Sequence, residues 1–234
     1  MPPPSLTSHL LALLESGAHS DLALEVKYQA EAPVTFAVHA AIVCQWSDVL
    51  RAALSHGLSE STTRTIVVTD VHPLAMKALL HFMYSDDFEK VSAVLREGVA
   101  SNAANGEGGE GGEGGSSSSA PVAAAAHGAA AERMALLHAV LTAAHKYNVL
   151  RLLRWAEGQC CELLTCESVC SMLGMAQLYD ASELEKNCLE YMGSHMKEVV
   201  ARPEFAALDQ STLVKFQRYQ AGVLDASTKR KRDE

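Results

Sequence analysis

The chain has 234 residues, with a formal net charge of −9, 48% hydrophobic residues and 20% charged residues. These values are those of a globular protein with a substantial hydrophobic core, in one large domain or two small ones. The negative charge excludes a general nucleic-acid-binding protein, because such a protein needs a basic surface to displace counterions from phosphate.

The N-terminal part of the chain predicts a helix followed by a β-hairpin. Residues 5–16 place several leucines on one helical face, and Gly17 is suited to end that helix. The segment HSDLALEVKYQ alternates apolar and polar residues, which is typical of a half-buried strand. A turn through Glu31 to Pro33 leads to a second strand, VTFAV, so the two strands are expected to form a hairpin.

Further short elements follow the hairpin. The segments HAAIVCQW and DVLRAALS predict two helices, with Ser47 as the N-cap of the second. RTIVVTD predicts a third strand, and Pro73 suits the first turn of the next helix. The buried face of that helix is expected to consist of Met76, Leu79, Leu80 and Met83.

The sequence then changes character and returns to helical periodicity. Residues 91–131 are dominated by Gly, Glu, Ser and Ala, and we expect a disordered insertion there. Helices are predicted again from ERMALLHAVLTAAHKYNVL onward, over residues 149–164, 166–178, 181–198 and 210–221. The predicted fold class is α+β: a small mixed β-sheet flanked by helices, followed by an all-α extension.

The segments that could hold a catalytic, cofactor or metal site have simpler explanations. GEGGEG at residues 106–111 lacks a preceding strand, and its glutamates would repel a dinucleotide phosphate. The cysteines of the 160–170 region are not spaced for a structural zinc site and are expected to pack in the core. We find no nucleophile motif. The sequence therefore predicts a protein that is not an enzyme and holds neither a cofactor nor a metal ion.

The expected location is the nucleus, the cytoplasm or both. The N-terminus lacks the features of a signal peptide, and no apolar run approaches the ~20 residues that span a bilayer, so no membrane partner is expected. The six cysteines should then be reduced thiols. KRKR at residues 229–232 is either a nuclear import signal or an ordinary solvated basic tail.

The order of these segments resembles the BTB/POZ domain. The likeness is carried by HSDLALEV, TFAVHAAIVCQWSDVLRAAL, TIVVTDVHPLAMKALLHFMYSDD and LTAAHKYNVLRLLRWAEGQC. The resemblance extends to the helices that follow this domain in the MATH-BTB proteins, such as the speckle-type POZ protein. CESVCSMLGMAQLYDASELEKNCLEYM is similar to their partial BACK region.

The resemblance implies a protein–protein interaction module that forms dimers with itself or with another BTB protein. In that family the first helix builds the dimer, and the matching interface residues here are Leu6, Leu10, Leu13, Leu14 and Asp21. An amphipathic helix ahead of the first strand also needs a surface to cover it. The alternative is that the same leucines pack only on their own domain.

The resemblance also assigns roles to three other residues. His39 matches a structural core histidine of the family. Leu58 and Glu60 match the apolar-x-acid motif with which many BTB proteins contact the N-terminal domain of cullin-3, the scaffold of a ubiquitin ligase. An apolar anchor fills a pocket in such a contact and an acid fixes the orientation. The alternative for Leu58-Ser59-Glu60 is an ordinary surface loop.

The sequence departs from the family pattern in two respects. Ala40 stands where most relatives carry Lys or Arg, so Asp21 must find a backbone or water partner instead. We also expect no MATH, kelch or zinc-finger region for substrate capture. The expected substrate protein is therefore unidentified, and would be recruited by the insertion, the tail or a MATH-bearing partner chain.

Three functions are compatible with these observations: a cullin-3 adaptor, a dimerising scaffold or transcription-associated protein that does not bind cullin, and a competitor of full-length adaptors. The expected organisation is a dimerisation helix (1–18), a BTB/POZ part (19–90), the insertion (91–131), final BTB/POZ helices (132–164), a BACK-like extension (165–222) and a tail (223–234).

Overall fold

The structure is a computed structural model that describes residues 5–29, 32–55, 59–105 and 120–222, without the side chains of residues 101–127 and 129. The chain divides into two compact units, residues 1–156 and residues 157–234. The first unit contains a β-sheet and the longest helices, and the second is helical over its described residues. This is the predicted α+β class.

A three-stranded sheet forms the frame of the first unit. Its strands are β1 (Leu22–Val26), β2 (Val34–Val38) and β3 (Thr65–Val68), in the spatial order β2-β1-β3. β1 pairs antiparallel with β2, with Leu24 opposite Phe36, and parallel with β3, with Leu24 opposite Ile66. The predicted hairpin and the mixed sheet are confirmed.

The alternation of β1 determines which face of the sheet is buried. Leu22, Leu24 and Val26 are buried, whereas the residues between them remain partly exposed. This is the period of two that the sequence predicts for a strand with one face on the core.

Helices surround this sheet. The described helices that begin in the first unit are α1 (Leu6–Ser16), α2 (Ala40–Trp46), α3 (Asp48–Leu54), α4 (Ser59–Thr63), α5 (Pro73–Ser85), α6 (Phe88–Asn105), α7 (Ala120–Lys146) and α8 (Leu150–Glu162). α5 is central, because it packs against α1, α2, α6 and α7. Its predicted buried face is confirmed and is wider than predicted, since Ala75, Ala78, Phe82 and Tyr84 are buried as well. A helix with neighbours on several sides needs more than one apolar stripe.

The prediction of disorder throughout residues 91–131 is wrong. α6 extends to Asn105 and α7 begins at Ala120. Val91, Val94 and Leu95 are buried at helical spacing, which explains why the first part of the presumed insertion folds. Alanine has the highest intrinsic helix propensity, which favours a helix at the start of α7. The remaining residues, 106–119, lie outside the described part of the chain.

A row of aromatic rings connects four helices of the first unit. Trp46 lies 5.2 Å from Phe82 between ring centroids, and Phe82 lies 5.1 Å from Phe88. Phe88 in turn stacks on Trp155 at 5.5 Å with an interplanar angle of 4°. The guanidinium of Arg151 lies 5.9 Å from the centroids of both phenylalanine rings. These contacts join α2 and α5 to α6 and α8, and therefore bring together segments on both sides of residues 106–119.

The second unit is built from short helices. They are α9 (Val169–Leu178), α10 (Ser182–Ser194), α11 (Met196–Val200), α12 (Pro203–Ala206) and α13 (Gln210–Gln220). α9 packs against α10, which also contacts α13. The predicted single helix over residues 181–198 is in fact two, because the chain leaves helical geometry at His195. Asp209 caps α13 by accepting hydrogen bonds from the backbone N–H groups of Ser211 and Thr212. The hydroxyls of the same two residues also donate to this carboxylate, and these hydroxyls, with a smaller effect of the N–H groups, lower its pKa to about 2.

Candidate protein-interaction surface

Glu60 lies in the first turn of α4, the short helix that follows α3. Its carboxylate accepts a hydrogen bond from the Ser59 hydroxyl at 2.9 Å. A backbone N–H group and this hydroxyl lower the pKa of Glu60 below its usual value. The side chain is therefore an ionised acid at a helix start, where negative charge is favoured. Leu58, the apolar residue of the same apolar-x-acid motif, belongs to residues 56–58, which lie outside the described part of the chain.

The corner between α2 and α3, which precedes this acid, is fixed by polar contacts. Ser47 caps α3 by accepting a hydrogen bond from the backbone N–H of Leu50 at 3.2 Å, which confirms the predicted N-cap. Arg51 donates through Nε to the carbonyl oxygen of Cys44 at 3.0 Å and through Nη1 to Asp48 at 2.7 Å. On the same short helix Val49 keeps 42% of its surface exposed.

The predicted dimer face of α1 divides into exposed and partly covered positions. Leu6 is 75% exposed, whereas Leu10, Leu13 and Leu14 are partly exposed. The residue that anchors α1 to its own domain is Leu11, at 8% exposure, which the sequence analysis did not single out. The helix begins with the Ser5 side chain accepting from the Ser8 N–H and ends at Gly17 with a φ of 64°, as predicted.

His39 joins the end of α1 to the core. Its Nε2 lies 2.8 Å from the carbonyl oxygen of Ala18, and its Nδ1 lies 2.8 Å from the hydroxyl of Tyr84. A carbonyl oxygen only accepts, so Nε2 carries the ring proton and Nδ1 accepts from the tyrosine. The backbone N–H of His39 donates to the same Tyr84 oxygen at 2.8 Å. Every polar atom of the ring thus has a structural partner.

Asp21 has a backbone partner in place of the missing basic residue. Its Oδ1 accepts a hydrogen bond from the backbone N–H of Ala40 at 2.7 Å. The contact ties the start of α2 to the segment that precedes β1. The Asp21 side chain is otherwise exposed.

A cavity of about 380 Å³ lies between α1, β2 and α5. It is lined by Leu14, Glu15, Ser16, Gly17, Thr35, Phe36, Ala37, Lys77, Leu80 and His81. Burial lowers the pKa of His81, and the nearby Lys77 has a smaller effect in the same direction. The cavity wall therefore carries the charged Lys77 side chain beside a mostly neutral His81 imidazole. The lining contains neither a nucleophile–base pair nor paired carboxylates of the kind that hydrolases use.

Three cysteines of the second unit pack as apolar groups, whereas Cys161 is partly exposed and Cys166, also partly exposed, donates to Glu198 at 3.3 Å. Cys160, Cys170 and Cys188 are buried, and burial raises the pKa of the Cys160 thiol to about 12. Among the described residues, no cluster of three His, Cys, Asp or Glu side chains could hold a metal ion. Within the same part of the chain, every helix is too short or too polar to cross a bilayer.

Comparison with known protein families matches both units. The family model for the BTB/POZ domain matches residues 10–98, from α1 into α6. The model described as BTB And C-terminal Kelch, the BACK region, matches residues 169–218, from the start of α9 into α13. The chain thus carries a BTB/POZ domain followed by a BACK region. The resemblance expected from the sequence is thereby confirmed, and BTB/POZ proteins are protein–protein interaction modules.

Curated relatives carry the same domain in their names. The chain is 26% identical to BTB/POZ and MATH domain-containing protein 6 of Arabidopsis thaliana over 86% of its length, and 28% identical to protein 4 of the same series over 88%. It spans 41% and 37% of these two relatives, or about two fifths of their length. Residues 99–168 of this BTB/POZ protein lie between the two matched ranges, so the predicted domain boundaries stay predictions.

Proposed function

We propose that this BTB/POZ chain is an adaptor component of a cullin-3 ubiquitin ligase. It binds the N-terminal domain of cullin-3 through Leu58 and Glu60, and it dimerises through α1 with itself or with another BTB protein. A bound substrate protein would then be brought to the ligase. The observation that carries this proposal is the ionised carboxylate of Glu60, held by hydrogen bonds in the first turn of α4, the helix that follows α3 along the chain.

The geometry around Glu60 suits a small and oriented contact. The carboxylate is held by neighbouring donors, so little side-chain freedom is lost when a partner's donors approach. A positioned acid beside an apolar anchor contributes orientation and specificity more than bulk affinity. Arg51 joins the end of α2 to α3, the helix that precedes α4 along the chain.

The exposed leucine of α1 supports the dimer. Leu6 keeps 75% of its surface exposed, with Leu10 and Leu13 partly exposed on the same helix. A second copy of α1, or the α1 of another BTB protein, would cover this apolar strip. The exposed Asp21 lies just beyond the helix and is the polar residue that we assign to the rim of the interface.

The substrate and the location of the protein are part of the proposal. The named relatives combine BTB/POZ with a MATH domain, so we propose that substrate capture requires a MATH-bearing partner chain or residues outside the two matched ranges. We propose a nuclear or cytoplasmic site of action, with KRKR at 229–232 as a candidate import signal. That run lies outside the described residues.

The test is calorimetry of the full chain against the N-terminal domain of cullin-3. We expect a dissociation constant of about 1 μM or below, and a loss of more than about tenfold for Leu58→Asp/Glu60→Lys. Glu89→Lys is the matched control, because Glu89 is also an exposed acid in the first turn of a helix. A folded wild-type chain that does not bind would leave the scaffold function instead.

Light scattering on the same samples tests the dimer. The wild-type chain is expected to have twice the mass of one chain, and Leu6→Asp/Leu10→Asp is expected to be monomeric, because charges in an apolar strip prevent its burial. A wild-type monomer, or a mutant that remains a dimer, would contradict the assignment of α1 as the interface.

A further inference from the structure

The middle residue of the Leu58-Ser59-Glu60 segment contacts the acid that follows it. Ser59 is exposed and is the first residue of α4. Its hydroxyl donates to Oε2 of Glu60 at 2.9 Å. An apolar-x-acid motif places no requirement on its middle residue, so this hydrogen bond is a feature of this chain that the motif does not explain.

The backbone carbonyls of Ser59 and Glu60 are held by residues at the end of α4. The carbonyl oxygen of Ser59 accepts from the Thr63 hydroxyl at 3.1 Å, and that of Glu60 accepts from the backbone N–H of Arg64 at 3.0 Å. With the main chain fixed, the Glu60 side-chain torsions decide where its charge points. The Ser59 hydroxyl bonds to one of the two carboxylate oxygens, Oε2, and so restrains these torsions.

We propose that the Ser59 hydroxyl positions the Glu60 carboxylate for the cullin-3 contact, and that a phosphoryl group on Ser59 switches this contact off. Ser59 is a positioning residue here, since it acts on the partner through Glu60. The inference rests on the proposed function, because it concerns the same contact.

The switch follows from the chemistry of the modification. A protein kinase would transfer the γ-phosphoryl group of a nucleoside triphosphate to Oγ of Ser59, so that the Oγ–P bond forms, the bond to the β-phosphate breaks, and the hydroxyl proton is released. The product lacks the O–H that Glu60 accepts from. It also adds a charge of about −1.5 to −2 beside an ionised carboxylate. Both changes turn the Glu60 side chain away from its present position.

The test compares four forms of the full chain: wild type, Ser59→Ala, Ser59→Thr, and the chain carrying phosphoserine at position 59. Calorimetry against the N-terminal domain of cullin-3 is expected to show a loss of about three- to tenfold for Ser59→Ala. Ser59→Thr retains a hydroxyl and should stay within about twofold of wild type. Phosphoserine should weaken binding by about thirtyfold or more. Thr62→Ala, which removes an exposed hydroxyl from the same helix, should leave the affinity unchanged.

A second readout does not depend on cullin-3. Titration of the Glu60 carboxyl by NMR is expected to show a pKa that rises toward the ordinary value in Ser59→Ala and returns to the wild-type value in Ser59→Thr, because the hydroxyl stabilises the ionised form. A merely structural serine would not produce this shift and its rescue.

The outcomes separate the two proposals. No binding by the folded wild-type chain overturns the proposed function and the switch with it. If the wild type binds while Ser59→Ala matches it in affinity and in the Glu60 titration, the positioning role is overturned and the adaptor function stands. If phosphoserine binds like wild type, the switch is overturned.

Discussion

The hydroxyl of Tyr84 lies 2.8 Å from two nitrogen atoms of His39, the backbone nitrogen and Nδ1. One oxygen thus accepts from the main chain at the start of α2 and donates to the imidazole. The other ring nitrogen of His39 holds the carbonyl of Ala18 just beyond α1. The position of the proposed dimer helix therefore depends on a hydroxyl buried in α5, with Tyr84 only 2% exposed.

We expect Tyr84→Phe to lower the free energy of unfolding of the first unit by about 1–3 kcal/mol, because the N–H and Nδ1 of His39 lose a partner inside the protein. Urea unfolding followed by tryptophan fluorescence measures this directly, since Trp46 and Trp155 both belong to that unit. Tyr28→Phe removes the same atom at a partly exposed site and should cost less than about 0.5 kcal/mol. Equal costs for the two variants would contradict the role of the Tyr84 hydroxyl.

Gly17 and Gly128 should respond to alanine in opposite directions. Gly17 has a φ of 64°, and an added Cβ would lie 3.1 Å from Cβ of Ala37. Gly17→Ala is expected to destabilise the first unit by about 1–2 kcal/mol, from the left-handed backbone and the close approach. Gly128 lies within α7, where an added Cβ meets nothing within 4 Å, so Gly128→Ala should stabilise by up to about 1 kcal/mol. The urea midpoints of the two variants check both signs.

Removing one ring from the aromatic row should be visible in the emission of a single tryptophan. Phe88→Leu takes away the ring stacked on Trp155, and we expect a cost of about 1–2 kcal/mol together with a red shift of Trp155 emission in a Trp46→Phe background. Phe205→Leu changes an edge-to-face pair in the second unit and should leave this emission unchanged. An unchanged spectrum in Phe88→Leu would contradict the stacking.

The thiols should differ widely in their reaction with an alkylating agent. Burial raises the pKa of Cys160 to about 12, so almost none of this thiol is ionised at pH 8. We expect mass spectrometry to show modification of the partly exposed Cys44 and Cys166 well before Cys160 and Cys188 in the folded chain.

The raised pKa of Cys160 also makes the free energy of unfolding depend on pH in the alkaline range. The unfolded thiol ionises near pH 9 and the folded one only near 12, so the contribution of Cys160 to stability is unchanged below about pH 9 and is lost as pH rises between these values. Replacing Cys160 with alanine should flatten this dependence in urea titrations at pH 8 and pH 10. Rapid labelling of Cys160 at pH 8 in the native state would contradict its burial.

The hairpin, α1 with its glycine cap and the buried face of α5 could be predicted because each is encoded by local periodicity or by one cap residue. β1 shows this well, since each of its buried residues is separated from the next by a partly exposed one. The wider burial of α5 could not be read from the sequence, because it depends on which other helices pack around it. The buried Leu11 was missed for the same reason.

Local composition gave a wrong prediction of disorder at residues 91–105 and 120–131. Val91, Val94 and Leu95 carry a helical period, but they border a low-complexity run that dominates the composition. For the candidate site, the sequence indicated Glu60 and His39 through family resemblance. Two hydrogen bonds of this region could be seen only in the structure: the one from Ser59 to Glu60 and the one from the Ala40 N–H to Asp21. The reason is that no pattern of residue types specifies a side-chain torsion.

The mixed pairing of β1 has a consequence for how the first unit folds. Its antiparallel neighbour β2 follows after a short turn, so this pair closes a small loop and can form early. Its parallel neighbour β3 arrives only after the chain has passed through α2, α3 and α4, and long-range parallel pairing is slow. The segment that carries Glu60 lies inside that crossover. We therefore expect a nascent chain to complete the geometry of this segment, the proposed cullin-3 contact, only when β3 has paired with β1.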